Sequence, residues 1–358
     1  VPDITTNRSA AERGDRVAAI LAGRYGLTAR TIEQLPIGQG TVNYRAVCDD
    51  GQEAFVKNYP AGTDLQAEEA AIALSARAVE AGIPGPQVLP NQDGDVIDAG
   101  TPLAVSVWEW RPGGVVTLLS QPQLAEAGTE LGRIHALFAG LPATPLAQES
   151  ATQRWRDIDV EDLTATIDQL LEIIAGRISA GAGAGDAFDV EAQRTLLERR
   201  DQLTLVPELL AGLPAELTVQ VLHGDYSPVN LLFTGETLSA VLDFRPPDPF
   251  LVAYDLGRMA FYPNTVTGDA DWLGAAATLI RAYRQAHPDV AAVDVRACGR
   301  VALLQMLKSL YGVRQHYLKP GLFQDDLDEF WLIRHRTVCV LLAKLTATDT
   351  LLTGLANA

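Results

Sequence analysis

The run His223-Gly224-Asp225-Tyr226-Ser227-Pro228-Val229-Asn230 continues into Leu231-Leu232-Phe233 and, a little later, into Val241-Leu242-Asp243-Phe244. An Asp and an Asn stand five residues apart ahead of an apolar run, and a second Asp closes the next one. Phosphoryl transfer asks for this set. One carboxylate must orient the attacking hydroxyl and accept its proton, and an amide oxygen with a second carboxylate must hold Mg²⁺ against nucleotide phosphates. His-Gly-Asp alone is an ordinary turn, and Asn230 or Asp243 alone is an ordinary turn or strand end. Their conjunction at these offsets is what carries the reading.

The string is similar to the protein-kinase pattern His-Arg-Asp-x-x-x-x-Asn followed by Asp-Phe-Gly, with Gly224 in the place of Arg and Arg245 in the place of the last Gly. It resembles the aminoglycoside phosphotransferase superfamily, which includes choline kinases and the type II homoserine kinases. The resemblance implies an α+β, bilobal, protein-kinase-like fold. Residues 1–108 would form a small lobe of antiparallel sheet plus helix, 109–114 a hinge, and 115–358 a larger, mainly helical lobe. It also implies ATP or another nucleoside triphosphate and Mg²⁺ as cofactors, with the γ-phosphate passing to a small-molecule hydroxyl. By position, Asp225 matches the catalytic base, Asn230 and Asp243 the metal ligands, and His223 a loop-shaping residue. Leu131-Gly132-Arg133-Ile134-His135 also resembles the superfamily, and His135 reads as structural because no acid–base partner lies near it in sequence.

Upstream, residues 8–26 read as a helix, followed by strands over 31–37, 44–48 and 54–59. The first two strands flank Gly38-Gln39-Gly40-Thr41-Val42-Asn43. A Gly-rich tip lets backbone N–H groups approach phosphate, so Gly38, Gly40, Thr41 and Asn43 are candidate nucleotide contacts, the last two through their side chains. Lys57 on the third strand is the candidate phosphate-binding lysine. Its partner is sought on the helix over 64–82, where Glu69 shares a face with Ile72, Ala73 and Ala76 and is preferred to Glu68. A strand over 103–110 leads to the hinge, and the resemblance implies the backbones of Trp108 and Trp110 as the candidate adenine contacts.

Past Asp243, the short step to Tyr254-Asp255-Leu256-Gly257 leaves no room for a long activation loop, which argues against a protein kinase. The resemblance implies that Asp255 is structural, tethering the catalytic loop or capping its own helix. The C-terminal part reads as three helices, over 270–287, 292–317 and 325–346. Asp325, Asp326, Asp328 and Glu329, like Asp157, Asp159, Glu161 and Asp162, would meet a cationic substrate or serve as favourable charges at helix starts.

Composition sets the outer bounds. At 358 residues with 47% hydrophobic content, two lobes and a sizeable core are expected. The net charge of −17 argues against nucleic acid as a partner and is compatible with a cationic acceptor. No apolar run reaches the roughly 18 residues of a membrane span, and the first residues lack a secretory pattern. Three dispersed cysteines suit a reducing cytoplasm. The expectation is a cytoplasmic small-molecule kinase, monomer or homodimer. An antibiotic hydroxyl is its first-choice acceptor, with a homoserine, choline or amino-sugar kinase as the alternative and a non-catalytic nucleotide-binding regulator, against which the intact Lys57, Asp225, Asn230 and Asp243 argue, as the third reading.

Overall fold

In a computed structural model, residues 13–38, 40–100, 103–142, 145–179, 187–320 and 324–357 are described. They fall into two compact units, one running up to Gly114 and including Asn230–Pro247, the other formed by Val115–Val229 and Asp248–Ala358. Gln39 of the glycine-rich tip and the stretch 180–186, whose Gly181-Ala182-Gly183-Ala184-Gly185 reads from the sequence as a flexible linker between two helical stretches, lie outside the described residues.

The first unit is built on five antiparallel strands. They are β1 (Ala29–Leu35), β2 (Val42–Cys48), β3 (Glu53–Tyr59), β4 (Val88–Leu89) and β5 (Ala104–Glu109), in the order β1-β2-β3-β5-β4. Period-two alternation explains their faces. Tyr44, Ala46, Ala54, Val56, Val105 and Val107 pack on the core side with Val17, Ile20 and Leu21 of the preceding helix. Their neighbours Arg45, Phe55, Lys57 and Trp108 stay partly exposed. Helix α1 (Leu65–Glu80) follows β3, with the Asp64 carboxylate capping the Ala67 N–H at 3.1 Å.

The hairpin β6 (Leu231–Thr234) and β7 (Thr237–Val241) belongs to this unit too, although the sequence division assigned it to the helical part. Hydrogen bonds explain the difference. The Val241 N–H donates to the Pro84 carbonyl at 2.8 Å and the Ser239 hydroxyl to the Pro112 carbonyl at 2.7 Å.

The second unit is helical: α2 (Gln121–Phe138), α3 (Pro145–Arg156), α4 (Val160–Ser179), α5 (Ala187–Leu203), α6 (Val206–Ala211), α7 (Val252–Ala260), α8 (Pro263–Gly268), α9 (Trp272–Ala286), α10 (Ala292–Lys308), α11 (Val313–Leu318), α12 (Gln324–Ala343) and α13 (Leu345–Asn357). Gly128 and Gly132 let α2 lie directly on α9, since a Cβ at either would strike the Leu279 or Tyr283 carbonyl. Two expected helices are divided. The 292–317 helix stops at Lys308 because the buried Arg199 guanidinium takes the Met306 carbonyl at 2.8 Å and the Leu307 carbonyl at 3.3 Å. Gly312 then turns the chain with φ +96°, and α11 starts afresh. The last helix breaks near Lys344 with a 77° bend between α12 and α13. Among the described residues no single helix is long and apolar enough to cross a membrane.

Candidate active site

In the sheet unit the chemistry gathers around Lys57. Its Nζ lies 3.0 Å from Asp243 Oδ1 and 3.4 Å from Glu68 Oε2. Burial disfavours the ammonium, but the charges of Asp243 and Glu68 and the nearby Tyr59 outweigh it, and the Lys57 pKa is raised. The expected partner Glu69 is exposed instead. The buried face of α1 runs through Ala71, Ile72, Leu74, Ser75 and Ala78 and leaves Ala73 exposed, so Glu68, at helical offsets from Ala71, Ile72 and Ser75, is the half-buried carboxylate that meets Lys57.

Asn230 and Asp243 meet through the hairpin. Leu231 pairs with Val241 at the open end of β6 and β7, and the Leu242 N–H donates to the Asn230 carbonyl at 2.9 Å. The two candidate ligands therefore flank the same strand ends. Asp243 is the one non-glycine residue with a left-handed backbone among the described residues, at φ 59°. Such a conformation costs on the order of 1–3 kcal/mol and persists only where the surroundings enforce it. A carboxylate and an amide oxygen form a hard donor set, of the kind that suits Mg²⁺ with phosphate oxygens and water completing the shell.

The glycine-rich tip differs from expectation in how its side chains are used. Asn43 is buried, its Nδ2 donates to the Ile37 carbonyl at 3.0 Å, and its Oδ1 accepts from the Thr41 hydroxyl at 3.1 Å. Both side chains expected to reach phosphate thus brace the loop from inside. Gly38 is required there, with φ +92° and a virtual Cβ only 2.6 Å from Asn43 Nδ2, whereas a Cβ on Gly40 meets open space. At the far end of the sheet, Trp108 sits in register with both Phe55 and Val88. The Trp110 N–H already donates to the Glu53 carbonyl at 3.3 Å, so that donor is not free for adenine as expected.

In the helical unit the loop 223–227 is held from three sides. His223 is fully buried, and its Nδ1 accepts the Asp225 N–H at 3.2 Å. The Tyr226 hydroxyl donates to the Ala127 carbonyl at 2.8 Å. Asp255, fully buried on α7, accepts the Gly224 N–H at 3.0 Å, so it tethers the loop. Burial pushes the Asp255 pKa up, but the hydrogen bond and charge of His135, the charge of His223 and the Gly224 amide prevail and lower it. His135 is itself buried, bonded to the Tyr283 hydroxyl at 2.9 Å and to Asp255 at 3.5 Å. Its acid partner lies 120 positions away, out of sight of the sequence.

The candidate base Asp225 is ion-paired with Arg258, a residue the sequence reading did not single out. Arg258 stands one helical turn after Asp255, so a single face of α7 grips the loop twice. An Asp and an Arg three apart, directly after the metal loop, was the available signal. Around the pair lie Tyr254 and Tyr262, both within the field of Asp225 and Arg258 and both with raised pKa, chiefly through burial. Of the acidic residues expected to meet a cationic substrate or to stand as charges at helix starts, two have partners within the chain. Asp159 caps the Asp162 N–H at 2.9 Å, Asp328 pairs with His316 at 2.7 Å, and Asp325, Asp326 and Glu329 are exposed.

The sequence profile of the phosphotransferase enzyme family matches residues 31–293. A homoserine kinase of Afipia carboxidovorans is 27% identical over 212 residues, 58% of this chain and 56% of the relative, so the chain spans about half the length of the curated relative it matches. Among solved structures, an amicoumacin kinase complex containing AMP-PNP and Ca²⁺ shares the fold with a TM-score of 0.60 at 13% identity, covering 93% of this chain and 95% of that one. A spectinomycin phosphotransferase with ADP and spectinomycin gives 0.57 at 15% identity, covering 96% and 97%. A microcompartment-associated aminopropanol kinase gives 0.53 at 15%, covering 98% and 99%. At these identities the structural likeness is one of fold.

Proposed function

The chain belongs to the phosphotransferase enzyme family, and on that premise we propose that it moves the γ-phosphate of ATP to a hydroxyl of a small molecule. The observation that carries this reading is the contact of Lys57 with Asp243 at 3.0 Å, formed across 186 positions of sequence, with Asn230 tied to the same strand ends. Lys57 would bind the nucleotide phosphates, Glu68 would keep it oriented, and the loop at Gly38–Asn43 would offer backbone N–H groups. Asn230 and Asp243 would hold Mg²⁺, which when bound screens the charge on the phosphates.

Asp225 would orient the acceptor hydroxyl and take its proton. The acceptor oxygen bonds to the γ-phosphorus while the bond from that phosphorus to the β–γ bridging oxygen breaks, releasing ADP. Positioning and fixed charge supply most of the acceleration. Of the two acceptor classes, hydroxylated antibiotics and metabolites, the homoserine kinase relative supports a metabolite.

The test is an ADP-release assay with Mg²⁺ and an acceptor panel of homoserine, choline, amino sugars, spectinomycin and aminoglycosides. Asp225→Asn is expected to lower kcat by a factor on the order of 10² or more with little change in ATP affinity. Turnover of that variant close to wild type would remove Asp225 from the role of base.

A further inference from the structure

The surroundings of Asp225 are cationic in a chain with 45 acidic and 28 basic residues. Arg258 is committed to Asp225. Arg334 on α12 is a second guanidinium in the same neighbourhood, for the Tyr262 hydroxyl lies in the field of Arg258, Asp225 and Arg334 together. Its Nη1 donates to the Ser309 hydroxyl at 3.2 Å, and its guanidinium rests over the Phe330 ring at 5.1 Å. Ser309 stands where the chain leaves α10, at the break that Arg199 and Gly312 impose. The preceding Lys308 lies over the Trp155 ring at 4.2 Å, and Trp155 in turn touches Tyr254 edge-on. Among the described residues, neither Arg334 nor Lys308 has a carboxylate within ion-pair distance.

Half-buried cations without a counter-charge are costly. Burial, with the neighbouring Arg258 charge, pushes the Arg334 pKa down to about 10, and burial lowers that of Lys308. An anion arriving beside Arg334 relieves that cost. A polycation would meet repulsion.

We infer that Arg334, set among Ser309, Tyr254 and Tyr262, forms the binding site for an anionic group of the acceptor, so that the phosphorylated molecule carries a hydroxyl together with a carboxylate or a phosphate. The guanidinium plane matches either group with two parallel hydrogen bonds. Arg334 is a binding residue in this scheme, and it holds the acceptor while Asp225 handles the hydroxyl proton. The inference rests on the kinase reading given above and narrows its acceptor.

Matched acceptors that differ only in charge test it. Homoserine, its carboxamide and 3-aminopropan-1-ol form one series, glycerol 3-phosphate and glycerol a second, and spectinomycin stands for the antibiotics. The anionic member of one series is expected to exceed its neutral or cationic counterpart at least fiftyfold in kcat/KM, and the series in which this happens separates carboxylate from phosphate. Arg334→Met is expected to raise the KM of that acceptor about a hundredfold and to reduce the charge discrimination to a few-fold, with Arg334→Lys intermediate. Preference for a neutral or cationic member overturns the inference and leaves the kinase reading intact. So does an Arg334→Met variant that loses kcat equally on every acceptor, since that marks a residue serving the transferred phosphoryl group.

A binding measurement decides the matter should no acceptor in the panel be turned over. Malonate and inorganic phosphate are expected to raise the melting temperature of wild type and not of Arg334→Met, and equal shifts, or none in wild type, overturn the inference. The kinase reading fails separately, if wild type releases no more ADP than Asp225→Asn under any condition.

Discussion

In the sheet unit one ammonium, Lys57, is shared between two carboxylates, Asp243 at 3.0 Å and Glu68 at 3.4 Å. In the helical unit one carboxylate, Asp225, is paired with Arg258, and Arg334 adds further positive charge to its neighbourhood. The first cluster has a surplus of negative charge, which suits a metal cation brought in with a nucleotide. The second has a surplus of positive charge, which suits an anionic acceptor. Overall charge gives no hint of this, because a chain at −17 is acidic on average and both clusters are local departures from that average.

The contrast breaks most sharply at Asp243. Asp243→Gly removes the carboxylate and also the left-handed strain at φ 59°. Activity is expected to fall about 10³-fold, while the melting temperature stays level or rises. A variant that unfolds instead would make Asp243 a structural residue and dissolve the comparison.

Next comes Asp255, which holds the loop on the helical side. Its pKa is lowered in the folded chain, so between that value and the ordinary aspartate value near 4 the unfolded chain binds more protons. The stabilisation is therefore complete above about pH 4 and fades as pH falls below it. Asp255→Asn is expected to cost about 3 kcal/mol at neutral pH, because it leaves buried partners uncompensated. In denaturant melts the gap between variant and wild type should narrow as the pH is lowered. A gap independent of pH would mean that the Asp255 charge does not hold the loop.

The smallest effect sharpens the sheet side. Glu68→Gln is expected to lower kcat/KM about tenfold, as loss of one orienting charge-assisted hydrogen bond would, and Glu69→Gln to change nothing measurable. The reverse order would restore Glu69, the partner expected from the sequence.

Much of this arrangement was legible before any coordinates. The Asp225, Asn230, Asp243 spacing and the strand around Lys57 depend on neighbours close in sequence, and β-alternation and capping at Asp64 are local rules. Glu68 is not singled out by the sequence because the small residues Ala71, Ala73 and Ala76 do not mark which face is buried, and packing puts Ala71, Ile72 and Ser75 inside, the face that Glu68 shares. Asn43 was misread because an amide side chain serves equally well toward a ligand or toward its own loop.

The sequence by itself determined the local grammar of this protein: which residue types stand at offsets that phosphoryl transfer requires, and where strands and helices begin. Tertiary structure alone decided the pairings of Arg258 with Asp225, of Asp255 with the Gly224 amide and of Arg199 with the end of α10, and with them the break that presents Ser309 to Arg334. The physical reason is range. Backbone propensity and periodicity act over a few residues, whereas the charges that set the character of each cluster come from segments up to 186 residues apart and become neighbours only when the core is packed.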